Sequence, residues 1–545
     1  MSITFEENTI SYKYLTGASL FGVCFFLLFL LGDTYFRWIL LPATALLAWY
    51  TFEFYRFNII LGSKNIVGGS LPFLLSVWAI FLAWLGISTL FSHNVGLSLD
   101  ALLFQCTLFI LFSSILLRPR VWKSLAFSYI IVSILVLIAI VLSILSIGFV
   151  SLPVLAAKLP GFNLLHATYG HNHLASYLIL ILPVAWWLSF RTRSAVVLLV
   201  SALLSVSLVL SFGRVAVLIG LVQLLTISWV FFKSKETSKI DSRTKKMLQF
   251  TQSILIALFL AVLFFKAFFS LSSSLFPELS TTITCPIPQL RSQLCKPVDA
   301  DTRPEYWKQA LRSLREYPLF GYGPGTFGLV SNRFTTHPSK VTGFAHNAVL
   351  QFFAEAGLVG GLAFAVKLVL IIWLVQRTIR IARDPLLHQM ILISLASIFI
   401  NNMLDFDWSF IAVASTACVL AALALSEAVQ EKKSGTVSFF AQSVRIGAMG
   451  IVLLMVLGSM FFGYAEYLFV QKKYTSLLQF FPYVSHHRVA LSEYDYWTEP
   501  ELEKILELQN YQPHSLELLL REYPDYPEWL SVYEQLDKIS FGFTY

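Results

Sequence analysis

Arg214, Arg303 and His346 are the residues whose types could act together chemically. Arg214 lies in Leu210-Ser211-Phe212-Gly213-Arg214-Val215-Ala216, between two strongly apolar runs. These runs leave room only for a tight turn, which would aim the guanidinium at a bundle interior or a re-entrant pocket. The competing reading is an arginine snorkelling at a helix end. Arg303 opens Arg303-Pro304-Glu305-Tyr306-Trp307. His346 heads a run of His346-Asn347, nine residues, then Gly357-Leu358-Val359-Gly360. Guanidinium groups grip phosphate bidentately, and each charge-assisted bond contributes about 1.5–3 kcal/mol. A histidine side chain, with an ordinary pKa near ~6.5, offers neutral imidazole to accept a proton at neutral pH. General-base catalysis is worth about 10²–10⁴ in rate. Two arginines and a histidine on one face would therefore suit a doubly charged phosphate and a hydroxyl, as in a lipid-linked diphosphate at the membrane–water boundary. The plainer reading of a lone histidine at a span end is a satisfied interfacial residue.

The elements that must position these residues are membrane helices. Of 545 residues, 57% are hydrophobic and 13% charged, and the mean hydropathy is +0.71. A soluble globular chain averages about 25% charged residues, so this composition excludes a soluble enzyme, a disordered chain and a nucleic-acid reader. The net charge of +8 reads as cytoplasmic-loop charge, and no nucleic-acid partner is expected. The first apolar stretch, Leu15 to Leu31, has no small-residue cleavage site after it and reads as a span that stays. Lipidation signatures are absent.

At about 20 apolar residues per crossing, the chain predicts an all-α polytopic bundle of about 13 spans (12–14). They fall near 15–31, 35–55, 71–92, 96–117, 124–148, 172–190, 194–211, 213–232, 251–274, 346–375, 386–404, 408–426 and 446–468. The basic clusters test that count: Arg118, Arg120 and Lys123; Arg191 and Arg193; the run from Lys233 to Lys246; Arg377, Arg380 and Arg383; Lys432, Lys433 and Arg445. All fall on connections from an even-numbered span to an odd-numbered one, hence on one side. The positive-inside rule makes that side, with the N-terminus, cytoplasmic.

Three expected outer loops then run over 149–171, 276–345 and Asn401-Asn402-Met403-Leu404-Asp405-Phe406-Asp407. The length of the second argues for function. Within it Pro304 suits a first helical turn. Trp307, Ala310, Leu311 and Leu314 recur at helical spacing, so a short amphipathic helix is expected on the membrane surface. Gly321-Tyr322-Gly323-Pro324-Gly325 follows, a glycine cluster that by itself is a weak phosphate signal. The two glycines after His346 would let a neighbouring helix pack closely. Cys285 and Cys295 share the large loop, where an outer compartment permits a disulfide. No Cys/His pair nearby has metal-ligand spacing. The domains read as 1–150 (N-terminal spans), 151–470 (core with loop 276–345) and 471–545 (outer appendage). From Gln471 onward 6 basic residues face 12 acidic ones, with short helical patterns between proline turns that read as a degenerate helical repeat.

The run His346-Asn347-x9-Gly357-x2-Gly360 resembles the His-Asn/Ser/Gln-x9-Gly-x2-Gly signature of the O-antigen ligase/polymerase superfamily. Arg303-x3-Trp307 followed by Pro318-Leu319-Phe320-Gly321-Tyr322-Gly323 resembles that family's approach to the motif. Ser211-Phe212-Gly213-Arg214 is similar to its Ser/Arg element, and Gly170-His171-Asn172-His173 to its Asn-containing span start. Asp405-Phe406-Asp407-Trp408 resembles the acidic element that follows. The likeness covers roughly 160–410. It implies a membrane glycosyltransferase that moves a glycan from an undecaprenyl-diphosphate carrier to an acceptor hydroxyl outside the cytoplasmic (inner) membrane. In that reading Arg214 and Arg303 bind the diphosphate and His346 activates the hydroxyl. Asn172, Tyr322, Asn347, Asp405 and Asp407 are further candidates, and His173 and His337 could share the base role. No metal or cofactor is implied, because the arginines supply countercharge.

The acceptor stays open: a lipid A core sugar for a ligase, another lipid-linked chain for a polymerase, or a protein Ser/Thr for an oligosaccharyltransferase. From another class, a lipid-carrier flippase or transporter would need a path to both faces and repeated halves. No similarity between halves is evident.

Overall fold

The computed structural model describes residues 70–117, 160–211, 213–233, 242–275, 302–335, 340 and 342–426, with isolated positions 457, 464, 468 and 476. The expected spans 15–31, 35–55 and 124–148, all but those isolated positions of 446–468 and of the tail after 470, and Cys285, Cys295 and His337 lie outside the described residues.

Every regular element among the described residues is helical. The order is α1 Ser70–Leu90, α2 Val95–Leu117, α3 Pro160–Thr192, α4 Ala195–Leu210, α5 Arg214–Lys233, α6 Ser242–Leu275, α7 Arg303–Glu316, α8 Phe327–Phe334, α9 Ala348–Thr378 and α10 Pro385–Asn402. A 3-10 turn, Asp407–Ser409, and α11 Ile411–Ser426 complete it. Seven of these helices contain stretches long and apolar enough to cross a membrane, and α4 and α11 contain shorter apolar ones. Helix is what such sequences must form in lipid, where every backbone polar group has to be bonded within its own segment. The hydroxyl groups inside the spans follow the same rule: Thr107, Ser201, Ser205 and Ser228 each donate to the carbonyl four residues back.

Two boundaries differ from expectation. Helix α3 starts at Pro160, so most of the expected loop 149–171 is helical, and α6 starts at Ser242, ahead of the expected 251. Both extensions are less apolar than the spans they continue, which is why a hydropathy window stops short of them.

Helix α9 is the larger departure. Gly357, at φ +68°, interrupts it. The arm Ala348–Ala356 folds back on the segment after the break, and Phe352 stacks on Phe364 at 4.0 Å. Twelve residues apart in a straight helix, those rings would stand about 18 Å from each other at 1.5 Å per residue. Gly357 thus breaks the helix, a role the expected helix-packing function did not include. A Cβ on Gly360 would meet Ala356 and Trp84, and one on Gly361 would meet Phe353, so both permit the tight fold.

Helices α3, α5 and α9 end together. Trp187 Nε1 donates to Asp384 Oδ2 at 3.2 Å, and Phe190 stacks on Phe231 at 3.8 Å. The basic residues near these ends, Arg191, Lys233 and Arg377, therefore gather at one end of the bundle. The starts of α3, α5 and α9 and the α10–α11 connection occupy the other. Between them lies Lys367, fully buried, its Nζ without a hydrogen-bond partner. It is enclosed by Phe81 (4.5 Å), Phe364 (4.6 Å), Trp78 (4.8 Å) and Trp408 (5.6 Å), a cation–π cage.

Candidate functional site

The site is built where α7, α9, α3 and the α10–α11 connection meet. Asn347 caps α9: its side-chain oxygen accepts from Leu350 N (2.9 Å), and its Nδ2 donates to the Met403 carbonyl (2.9 Å). That pair of bonds ties the start of α9 to the acidic connection, so Asn347 acts as a structural clasp. The preceding His346 is held at φ +50°, a region non-glycine residues seldom adopt and one that marks functional positions. Tyr306 stacks on its ring at 5.4 Å, and Trp307 Nε1 donates to its carbonyl at 3.4 Å. The first turn of α7 therefore positions the histidine.

His346 Nδ1 lies 3.1 Å from Asp405 Oδ1. Arg303 approaches the other oxygen of the same carboxylate at 3.4 Å. Asp405 is nearly buried, whereas His346 and Arg303 keep about a quarter of their side chains exposed. A second pair stands beside the first. His173 Nδ1 lies 2.7 Å from Asp407 Oδ1. Asn401 Nδ2 donates to Asp407 Oδ2 (2.6 Å) and to Ser176 Oγ (2.8 Å). The Phe406 ring separates the two histidines, 4.7 Å from His346 and 4.6 Å from His173.

The two carboxylates differ electrostatically. Burial pushes the Asp405 carboxyl up, but the His346 hydrogen bond and the charges of His173, His346 and Arg303 outweigh it, leaving the group below the usual carboxylate range. For Asp407 burial comes first, and the Asp405 charge adds to it. The bonds and charge of His173 and Ser176 only partly offset them, and the group lies above the usual range.

His173, Asp405 and Asp407 bring their ligand atoms within 4.8 Å of one another, the one such grouping among the described residues that could hold a metal ion. No metal was expected here. The nitrogen and all four oxygens named above already have hydrogen-bond or ion-pair partners, and we read the cluster as a hydrogen-bond network.

Other candidates fall elsewhere. Asn172 sits beside the start of α5: a Cβ on Gly213 would meet its Oδ1 at 3.3 Å. That places the backbone of Arg214 at the same end as His173. The Arg214 side chain lies outside the described part. Tyr322 belongs to a separate cluster, stacked on His93 at 3.7 Å and edge-on to Tyr317. Burial raises its phenol, and the Arg333 charge only partly opposes that. The glycine cluster is a structural anchor and its amides do not cradle a ligand. The N–H groups of Tyr322 and Gly323 donate to the carbonyls of Ala354 and Glu355, and those of Gly325 and Phe327 to the Glu355 carboxylate. In the sequence Glu355 stands only as part of the family-like run before Gly357, with no role assigned; its signal is a carboxylate inside an apolar run. Helix α7 buries Gln309, Ala310 and Ser313, while Leu311 of the expected apolar face is exposed. The face that packs is bonded through Ser331 and the Ala354 carbonyl.

Residues 199–365 match the family model described as O-antigen ligase. This stretch of the chain is similar to the O-antigen ligase family. The matched stretch contains Arg214, Arg303, His346, Gly357 and Gly360, in support of the O-antigen ligase/polymerase superfamily. No curated protein matches the chain. The family implies a glycosyltransferase-like ligase or polymerase, lipid-linked glycan substrates and an integral membrane setting, consistent with the apolar helices. His173, Asp405 and Asp407 lie outside the matched stretch.

Proposed function

We propose that this protein transfers a glycan from an undecaprenyl-diphosphate carrier to an acceptor hydroxyl at the outer face of the cytoplasmic membrane. The observation that carries this reading is the meeting of Arg303, Asp405 and His346 at the end of the bundle opposite its basic helix ends. In this reading Asp405 holds the His346 Nδ1–H, so Nε2 presents a lone pair to the acceptor hydroxyl. Nε2 takes the proton as the oxygen attacks the anomeric carbon, the bond to the diphosphate oxygen breaks, and the electron pair leaves with the diphosphate. Arg303, with five N–H donors, and Arg214 stabilise that departing charge without a metal. A small apolar cleft of about 20 Å³, lined among others by Ala348, Phe364, Ile398 and Trp408, reaches Asn402.

The full topology in this reading has thirteen spans, a cytoplasmic N-terminus and an outward-facing site, supported by the shared end of the basic clusters. The acceptor is a lipid A core sugar, the end of another lipid-linked chain or a protein hydroxyl. Purified protein supplied with an undecaprenyl-diphosphate glycan and each acceptor class should release undecaprenyl diphosphate with one of them. Arg214→Ala should release it more slowly. Carrier crossing liposomes with no acceptor glycosylated would establish a transporter instead.

A further inference from the structure

The turn between α1 and α2 is locked onto the glycine turn that follows α7. Ser98 Oγ donates to the Pro324 carbonyl at 2.8 Å, and Ser92 Oγ lies 2.6 Å from Ser98 Oγ. His93 is pinned by the same contact. Its backbone N–H and its Nδ1–H both donate to the Tyr322 carbonyl, at 3.1 and 3.2 Å. Its ring stacks on the buried Tyr322 ring at 3.7 Å, within 8° of parallel. Tyr317 lies 4.9 Å from the His93 ring and 5.2 Å from the Tyr322 ring, edge-on to both. Nearly equal distances put Tyr317 beside the stack, so neither tyrosine covers the outer face of His93, which is exposed. Arg333 of α8 completes the patch. It pairs with Glu316 at the end of α7, and its guanidinium stands over the Tyr317 ring at 5.8 Å. Both members of that pair are more than a third exposed.

An exposed histidine ordinarily keeps its rotamer freedom. This one is held by two hydrogen bonds and a stack, so a partner packing on its outer face would have little side-chain entropy left to remove. The guanidinium and carboxylate next to it offer donors and acceptors side by side. Glu316 neutralises Arg333, so the patch suits neighbouring hydroxyls better than a phosphate. A flat C–H face rimmed by hydroxyls is the chemistry of a sugar ring.

The patch also lies in line with the site. Tyr306 stacks on His346, and Glu316 follows ten residues later on the same helix, about 15 Å away at 1.5 Å per residue. Arg303, which opens α7, is the diphosphate ligand of the transfer reading. A chain of sugars leaving that diphosphate along α7 spans such a distance, and a single sugar does not.

We propose that His93, Tyr317, Glu316 and Arg333 form a subsite for a distal sugar of the donor glycan. The sugar packs its C–H face on the His93 ring and bonds its hydroxyls to the Glu316–Arg333 pair and the Tyr317 phenol. This rests on the transfer reading above and deepens it: the enzyme selects carriers by glycan length.

The test uses the full-length protein in nanodiscs and two probes made from one preparation of undecaprenyl-diphosphate glycan: the intact lipid, and the lipid trimmed to its first sugar. The variants are His93→Ala, His93→Phe and Arg333→Met, each checked for wild-type unfolding temperature. Wild type should show the lower KM for the intact glycan. Loss of the aromatic contact in His93→Ala should raise that KM by about 3- to 10-fold, with kcat and the KM for the one-sugar carrier unchanged. Arg333→Met should act in the same direction, and His93→Phe, which keeps the ring face, should stay within about threefold of wild type. A merely structural role would move kcat or both KM values. If wild type transfers the glycan and His93→Ala keeps the wild-type KM for the intact carrier, the inference is overturned while the transfer reading stands. A His93→Phe variant as weak as His93→Ala also overturns it, because the ring face would not then be what binds. Binding of the water-soluble glycan, released from the carrier by mild acid, separates the two claims. If wild type transfers nothing but binds this glycan more tightly than His93→Ala does, the subsite stands and the transfer reading fails. Wild type that binds none of it overturns the inference.

Discussion

Asp405→Asn keeps the shape of the side chain and removes its charge. In the protein that carboxylate receives His346 Nδ1 at 3.1 Å and Arg303 at 3.4 Å. The first contact is charge-assisted and mostly buried, worth about 1.5–3 kcal/mol. The second is longer, and Arg303 is a quarter exposed, so solvent screening holds it to about 1 kcal/mol or less. Together they amount to about 2–4 kcal/mol, which at about 1.36 kcal/mol per decade is a roughly 30- to 1,000-fold slower transfer. The assay is the initial rate of undecaprenyl diphosphate release at saturating donor and acceptor, with unfolding temperature as the control for folding. The pH dependence of stability supplies a check on the sign. The folded Asp405 carboxyl lies below its ordinary value, near ~3.9 for aspartate. Its stabilisation is therefore complete above that value and disappears as pH falls through the lowered one. Wild type should lose its margin in unfolding temperature over Asp405→Asn as pH falls below about 4. Transfer within threefold of wild type in a folded Asp405→Asn protein would refute the claim that this carboxylate orients the base.

Three further outcomes follow from the same geometry. Gly357→Ala places a side chain at φ +68° and drives its Cβ into the Leu319 carbonyl. Backbone strain alone costs about 1–3 kcal/mol, so unfolding temperature and transfer should both fall, and wild-type stability would contradict the helix break. Glu355→Gln sets an amide among the Gly325 and Phe327 N–H groups and the Gln351 amide. That should cost about 1–3 kcal/mol, read as a lower unfolding temperature, and an unchanged value would argue that the carboxylate does not anchor the glycine turn. Treatment with EDTA should leave transfer unchanged; loss of activity restored by a divalent cation would make His173, Asp405 and Asp407 ligands after all.

Much of the bundle was legible because apolar length is a local property. Helices α1, α2, α4 and α5 fall within a few residues of their expected bounds, and Arg303-Pro304 does open a helix. His346 and Asp405 were both candidates, but nothing local shows that residues 59 apart share a bond. His173 and Asp407, 234 apart, were weighed singly for the same reason. Gly357 read as a packing glycine because its spacing fits both uses, and only its positive φ tells them apart. Lys367 went unmarked, since one lysine barely lowers the hydropathy of its span. The glycine cluster was a weak phosphate signal in the sequence, and Glu355 and the backbone of α9 occupy its amides.

The central claim is that His346 takes the acceptor proton during glycan transfer. Steady-state kinetics of His346→Gln, with donor and acceptor varied in turn, test it most directly. Loss of general-base catalysis should lower kcat by about 10²–10⁴ while the donor KM stays within a few-fold of wild type. A folded His346→Gln protein that transfers glycan at the wild-type rate would contradict it.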